Sequence, residues 1–167
     1  IKDYEPDIIG FNVNTFNIFE TSKLVSAVVE HFPAVPLIAG GLHTYSEPKE
    51  VADLGVHIVV KGDAETTISL LLKTLQSYTG HTGKFSINKS LFSELLTIPG
   101  LMFKDNENDT LKDTGYPEIY KDLDNLPFVD YDLFNLHDFL RGPNTENFVT
   151  NQIVTQRGCP YECPFCQ

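Results

Sequence analysis

Between Pro6 and Tyr78 the chain switches repeatedly between two kinds of apolar pattern, and this alternation limits the fold more than any other feature. PDIIGFNV (6–13) is a near-continuous apolar run after a proline, as in a strand buried on both faces. NIFETSKLVSAVVEHF (17–32) then carries Leu24, Val25, Val28, Val29 and Phe32 at the spacing of an amphipathic helix. Asn17 and Glu20 are placed to form a capping box at its start, and Pro33 and Pro36 bracket its end. PLIAGG (36–41) predicts a second strand, SEPKEVADLG (46–55) a short helix closed by Gly55, and HIVVKGD (57–63) a third strand. AETTISLLLKTLQSY (64–78) predicts a third helix with Asp63 as its N-cap. Strand–helix connections this short leave only parallel pairing, so the class is α/β with an open parallel sheet. Three strands make a thin sheet, and two more are expected upstream of Ile1.

The pattern changes after Tyr78. GHTGKFSINKS (80–90) is polar and glycine-rich and predicts a loop. PGLMFKDNENDTLKD (99–113) predicts a hairpin turning around Asp105–Asn108, with a weaker return strand. YPEIYKDLDNLPFVDYDLFNLHDFL (116–140) mixes aromatics, acids and prolines without periodicity and predicts an extended linker. NFVTNQIVTQRG (147–158) predicts a strand that runs directly into a cluster of cysteines.

Composition narrows the function classes. The 12 Lys and Arg are scattered through a chain of net charge −11, whereas a nucleic-acid binder gathers a basic face to meet phosphates. No nucleic-acid partner is expected, and no membrane association, since no apolar run approaches the ~18 residues of a span. Cys159, Cys163 and Cys166 are all the cysteine present. An odd number cannot pair completely within the chain, which argues for a reduced, cytoplasmic setting. The start on Ile1 and the end just after Cys166 suggest a piece of a longer protein.

In an open parallel sheet, ligands bind beyond the carboxyl ends of the strands. Those ends are Asn12-Val13-Asn14-Thr15, Gly40-Gly41-Leu42-His43 and Lys61-Gly62-Asp63-Ala64-Glu65. Gly40, Gly41 and Gly62 remove bulk there, while Asn14 and Thr15 offer short hydrogen-bonding groups and His43 a ligand contact. The competing reading is that these glycines only make turns. The remaining histidines, His31, His57, His81 and His137, belong to no visible constellation.

The three cysteines stand at C-x₃-C-x₂-C spacing in CPYECPFC. Pro160 and Pro164 oppose a helix there, so the segment predicts a loop whose thiolates converge on one centre. Soft thiolates favour zinc or an iron–sulfur cluster. Three ligands fit a cubane with one iron left open; structural zinc would need a fourth ligand and usually uses C-x₂-C pairs. A non-catalytic α/β ligand-binding module with a zinc–thiolate loop is the alternative to an enzyme.

That spacing, with Phe165 just before the last cysteine and a strand before the first, resembles the cluster motif of radical S-adenosylmethionine enzymes. PDIIGFNVNT, LIAGGLHTYSEP, VVKGDAETTISLLLKTL, IPGLMFKD and YKDLDNLPFVDYDLF resemble the amino-terminal half of the cobalamin-binding members, covering essentially the whole chain. The resemblance implies a partial cobalamin-binding, Rossmann-like domain over 1–78, a hairpin and extended linker over 79–148, and over 149–167 the start of the radical barrel. It implies that Cys159, Cys163 and Cys166 bind a [4Fe–4S] cluster whose open iron chelates S-adenosylmethionine, with Phe165 near the adenine. Gly40 and Gly41 match the glycine pair that lines the cobalamin nucleotide tail. Asn12 stands where many relatives have serine, and a cobalt-ligating histidine would lie before Ile1. The implied chemistry is reductive cleavage of S-adenosylmethionine, fed by an electron donor such as flavodoxin or ferredoxin. Radical chemistry on a small-molecule or peptide substrate follows, with methyl transfer one of its outcomes. This piece alone is not expected to turn over.

Overall fold

The apolar runs form strands where the alternation predicts them. In the computed structural model β1 (Ile9–Asn12), β2 (Leu37–Gly40) and β3 (Ile58–Val60) lie side by side and parallel, Ile9 opposite Leu37 and Ile38 opposite Ile58. The structure describes residues 1, 3–78, 83–106, 108–130, 133, 157–158 and 161–164. Two units are distinguished, Ile1–Lys121 and Asp122–Gln167.

The helices of the first unit are α1 (Ile18–His31), α2 (Leu42–Ser46), α3 (Pro48–Asp53), α4 (Glu65–Leu75) and α5 (Lys89–Leu95). The hairpin strands are β4 (Leu101–Asp105) and β5 (Thr110–Asp113). This hairpin does not follow the sheet; it extends it. β4 pairs antiparallel with β3 and β5 antiparallel with β4, giving one mixed five-stranded sheet in the order β1-β2-β3-β4-β5. The expectation of an all-parallel sheet is thereby corrected, and the cause is α5. A single helix after β3 would bring the chain back for another parallel strand; a second helix reverses it once more, so β4 starts at β3's carboxyl end. The Lys61 N–H donates to the Gly100 carbonyl there, at 2.7 Å.

Helix α5 begins in the last two residues of the segment predicted as loop and continues beyond it. Asn88 caps it, its side-chain oxygen accepting from the Leu91 N–H at 2.9 Å, and Leu91 and Leu95 are fully buried. Each buried leucine contributes about 1.5–3 kcal/mol, which is enough to hold a seven-residue helix that would not persist alone.

Two cores sandwich the sheet. One lies under α4 and α5 and gathers Ile58, Val60, Leu71, Leu75, Leu91, Leu95, Leu101 and Phe103. The other lies under α1 and α3 and gathers Val13, Val25, Val28, Leu37, Ala39, Val51, Val59 and Met102. The buried stripe of α1 runs Thr21, Val25, Val28, so Leu24, placed on the apolar face by periodicity, is instead exposed. The N-terminal positions of α1 and α4 differ from the expected capping. Asn17 is the N-cap of α1 by position but turns its side chain back toward β1, and α4 begins after Ala64 without a side-chain cap.

In the second unit the described part of the linker includes a 3₁₀ turn, Leu123–Asn125. The strand predicted over 147–158 falls almost wholly outside the described residues. Among the described residues no helix is long and apolar enough to cross a membrane.

Candidate functional site

The carboxyl ends of β1 and β2 are tied through backbone. The Val13 N–H donates to the Gly40 carbonyl at 2.7 Å, and the His43 N–H donates to the Val13 carbonyl at 3.1 Å. Gly41 sits inside this crossing with φ +113° and ψ 178°, a region that is essentially glycine's alone. A Cβ there would lie 2.6 Å from the Val13 oxygen and 2.9 Å from its nitrogen, and nearer still to Asn12 Oδ1. Gly41 is therefore demanded by the fold itself.

Gly40 is different. A Cβ on it would meet only the Val60 oxygen, at 3.8 Å, and one on Gly10 only Ile38, at 3.7 Å or beyond. These two bare positions floor a groove of about 380 Å³ walled by Ile38, Val60, Ala64 and Ile68, with Asn12 contributing a carboxamide. That volume lies near the lower end of the ~300–1,000 Å³ range of small-molecule sites. The groove's chemistry, apolar walls over a flat floor that side chains would fill, suits a flat and largely apolar ring.

Gly62 lines the same groove but also meets the chain from another side. Its φ is +67°, and a Cβ would lie 3.4 Å from Pro117. Pro117 and Tyr116 lie against this end of β3. The Tyr116 hydroxyl donates to the Tyr45 carbonyl at 2.8 Å, and the two rings stand 5.4 Å apart. Lys61, 1% exposed, places its ammonium 4.5 Å from the centre of the Tyr116 ring and pairs with Asp113. Partial desolvation pulls the Asp113 carboxyl upward. Hydrogen bonds from Lys61 and the Gly115 N–H, with the Lys61 charge, outweigh that and hold it below its ordinary value. The ends of β1 and β2 are left as the open part of the edge.

Thr15 and His43 come together, but not on the groove. Thr15 Oγ1 is 3.1 Å from His43 Nδ1, and His43 Nε2 is 3.0 Å from Glu50 Oε2. His43 is 6% exposed while Thr15 faces solvent. Asn14 is held through its backbone: its N–H donates to Asn17 Oδ1 at 2.8 Å, and Asn17 Nδ2 donates to the Asn12 carbonyl at 3.0 Å. Asn17 thus shapes the loop that presents Thr15. Sequence reasoning missed this role, as it missed Glu50, Lys61 and Tyr116. His43 and Glu50 lie on separate short helices, α2 and α3, so their seven-residue spacing carried no helical-face signal.

Of the cysteines, Cys163 is described, half-buried and with a free thiol. Cys159, Cys166 and Phe165 lie outside the described residues. Among the described residues no group of three metal-ligating side chains converges.

No family model matches the chain. Individual proteins do. An uncharacterised methyltransferase of Pyrococcus horikoshii is 25% identical over 99% of this chain and 32% of its own length. The anaerobic magnesium-protoporphyrin IX monomethyl ester cyclase of Cereibacter sphaeroides is 21% identical over 99% of this chain and 25% of its own. The cobalamin-dependent radical SAM methyltransferase TokK of Streptomyces tokunonensis is 24% identical over 97% of this chain and 22% of its own. The chain spans a third or less of the length of these relatives. Aligned with them almost throughout, the chain is distantly similar to methyltransferases that include a cobalamin-dependent radical SAM enzyme, and to the cyclase.

Proposed function

We propose that the chain is part of a cobalamin-dependent radical S-adenosylmethionine enzyme, its α/β unit holding the corrinoid and CPYECPFC forming the cluster loop. The observation that carries this reading is the open groove over Gly10 and Gly40 at the carboxyl edge of the sheet, in a chain that also bears the C-x₃-C-x₂-C run. Gly10 and Gly40 admit the flat base of the nucleotide tail, and Ile38, Val60 and Ile68 keep water from it. Asn12 offers that base a carboxamide where relatives offer a hydroxyl. Cys159, Cys163 and Cys166 would hold a [4Fe–4S] cluster, and Phe165 would lie beside the adenine of the S-adenosylmethionine that it serves. When bound, these groups supply radical chemistry at an unreactive carbon and a methyl carrier. Methyl transfer to a small molecule or peptide, driven by a flavodoxin- or ferredoxin-type donor, is the favoured outcome, since three of the four matched proteins are named methyltransferases.

The test is metal content of the intact protein purified without oxygen, for the wild type and Gly40→Leu. The wild type should carry about four irons with sulfide, and stoichiometric cobalt after cobalamin loading. Gly40→Leu, whose side chain fills the groove, should lose cobalt and keep iron. Zinc without iron would overturn the reading, as would equal cobalt in both proteins.

A further inference from the structure

With a neutral His43, the Thr15–His43–Glu50 chain admits one hydrogen-bond polarity. A carboxylate oxygen can only accept, so the 3.0 Å contact to Glu50 places a hydrogen on His43 Nε2. In the neutral ring Nδ1 then carries a lone pair, and Thr15 must give its single hydroxyl hydrogen to it across 3.1 Å. At 6% exposure His43 has almost no water to turn to. What Thr15 shows to the exterior is therefore oxygen lone pairs alone. It does so from the loop that leaves β1, beyond the carboxyl end of a parallel strand, where ligands of open α/β sheets bind.

We infer that Thr15 is a specificity-determining acceptor, oriented by His43 and Glu50, that takes an N–H from a primary carboxamide on the ligand and disfavours a carboxylate in the same place. This rests on the corrinoid reading above, because a corrinoid carries primary carboxamides around its rim. An acceptor facing a carboxamide gains a hydrogen bond; facing a carboxylate it meets a second acceptor, and the bond is replaced by repulsion. Thr15 and His43 do not line the groove over Gly40, so rim recognition and tail recognition are separable.

The experiment compares cobalamin with its monocarboxylic acids, in each of which one peripheral carboxamide has been hydrolysed. Affinity for the intact protein is read by absorbance titration at pH 8. Wild type should prefer cobalamin over at least one monocarboxylic acid by about tenfold, the size of one hydrogen bond made or lost. Thr15→Val should bind cobalamin about five- to tenfold more weakly and lose that preference, while Thr15→Ser keeps it. Glu50→Gln replaces an obligatory acceptor with a side chain that can also donate, so His43 can present N–H to Thr15 and free its hydroxyl to donate. That variant should bind the same monocarboxylic acid as well as cobalamin or better. A merely structural role for the triad would shift all these affinities together. Tight cobalamin binding with the same preference in wild type and Thr15→Val would overturn this inference and leave the corrinoid reading standing. Absence of any cobalamin binding by wild type would overturn both.

Discussion

Gly40 and Gly41 are adjacent, and the addition of one methyl group to each should have opposite consequences. At Gly41 alanine must adopt φ +113°, ψ 178°, at a cost of about 1–3 kcal/mol. Its Cβ would also stand 2.6 Å from a backbone oxygen and 2.9 Å from a backbone nitrogen of Val13. Neither atom is the end of a flexible side chain, so the β1–β2 crossing must open, for about another 1–3 kcal/mol. Gly41→Ala should therefore lose about 2–6 kcal/mol, a large part of the ~5–15 kcal/mol of an ordinary domain. At Gly40 the backbone suits any residue and the nearest obstacle is 3.8 Å away, so alanine should be neutral or gain about 0.4–1 kcal/mol through the unfolded chain. Urea denaturation followed by far-ultraviolet circular dichroism measures both. Equal losses, or a Gly41→Ala loss below about 1 kcal/mol, would refute the assignment of one glycine to the fold and the other to the groove.

Three further outcomes are expected. Asp113→Ala strands the buried Lys61 ammonium and should cost about 1–3 kcal/mol in urea denaturation; Lys61→Met should cost less, since the remaining Asp113 is half in water. Asn88→Ala removes the cap of α5 and should cost about 1 kcal/mol, read by the same measurement. Burial, and secondarily Lys84, hold His57 at about 4 instead of 6.5. A depressed histidine contributes its stability fully above pH 6.5, and that contribution drains away as pH falls toward 4 because only the unfolded chain takes up the proton. The loss should reach about 3 kcal/mol and should be largely absent in His57→Gln, as a pH series of urea midpoints would show.

The first half of the fold was legible because each element there announces itself locally. β1, β2 and β3 are short apolar runs between turn residues, and α1 and α4 are long enough to display a stripe. α5 was not legible: it has seven residues, follows a glycine-rich stretch, and draws its stability from Phe92 against Phe103 and from leucines buried on other elements. The hairpin was legible as a hairpin, but its partner was not, since pairing β4 with β3 depends on a direction that α5 sets. At the site, small residues marked the carboxyl edge of the sheet, where the structure has an open groove over Gly10 and Gly40. Which glycine serves the backbone and which the groove depends on φ and on atoms of Val13 and Val60 far away in sequence. His43 was singled out without its partner, because Glu50 lies on another helix.

The mixed sheet and the open groove have a common origin. A regular crossover helix after β3 would lie across the parallel strands on its face. Here α4 is followed by α5, and the pair centres its packing on Ile58 and Val60 of β3 and Leu101 and Phe103 of β4. The antiparallel strand draws the helical layer toward its own side. Ile8 and Ile38 remain at the margin of that core, and Gly10 and Asn12 of β1 stay exposed on the same face. The opposite face of β1 is closed by α1 and Phe11. A groove floored by Gly10 and Gly40 thus follows from the extra helix that reverses β4. The glycines keep it open, since a side chain at Gly40 would reach into the space that α4 and α5 leave uncovered.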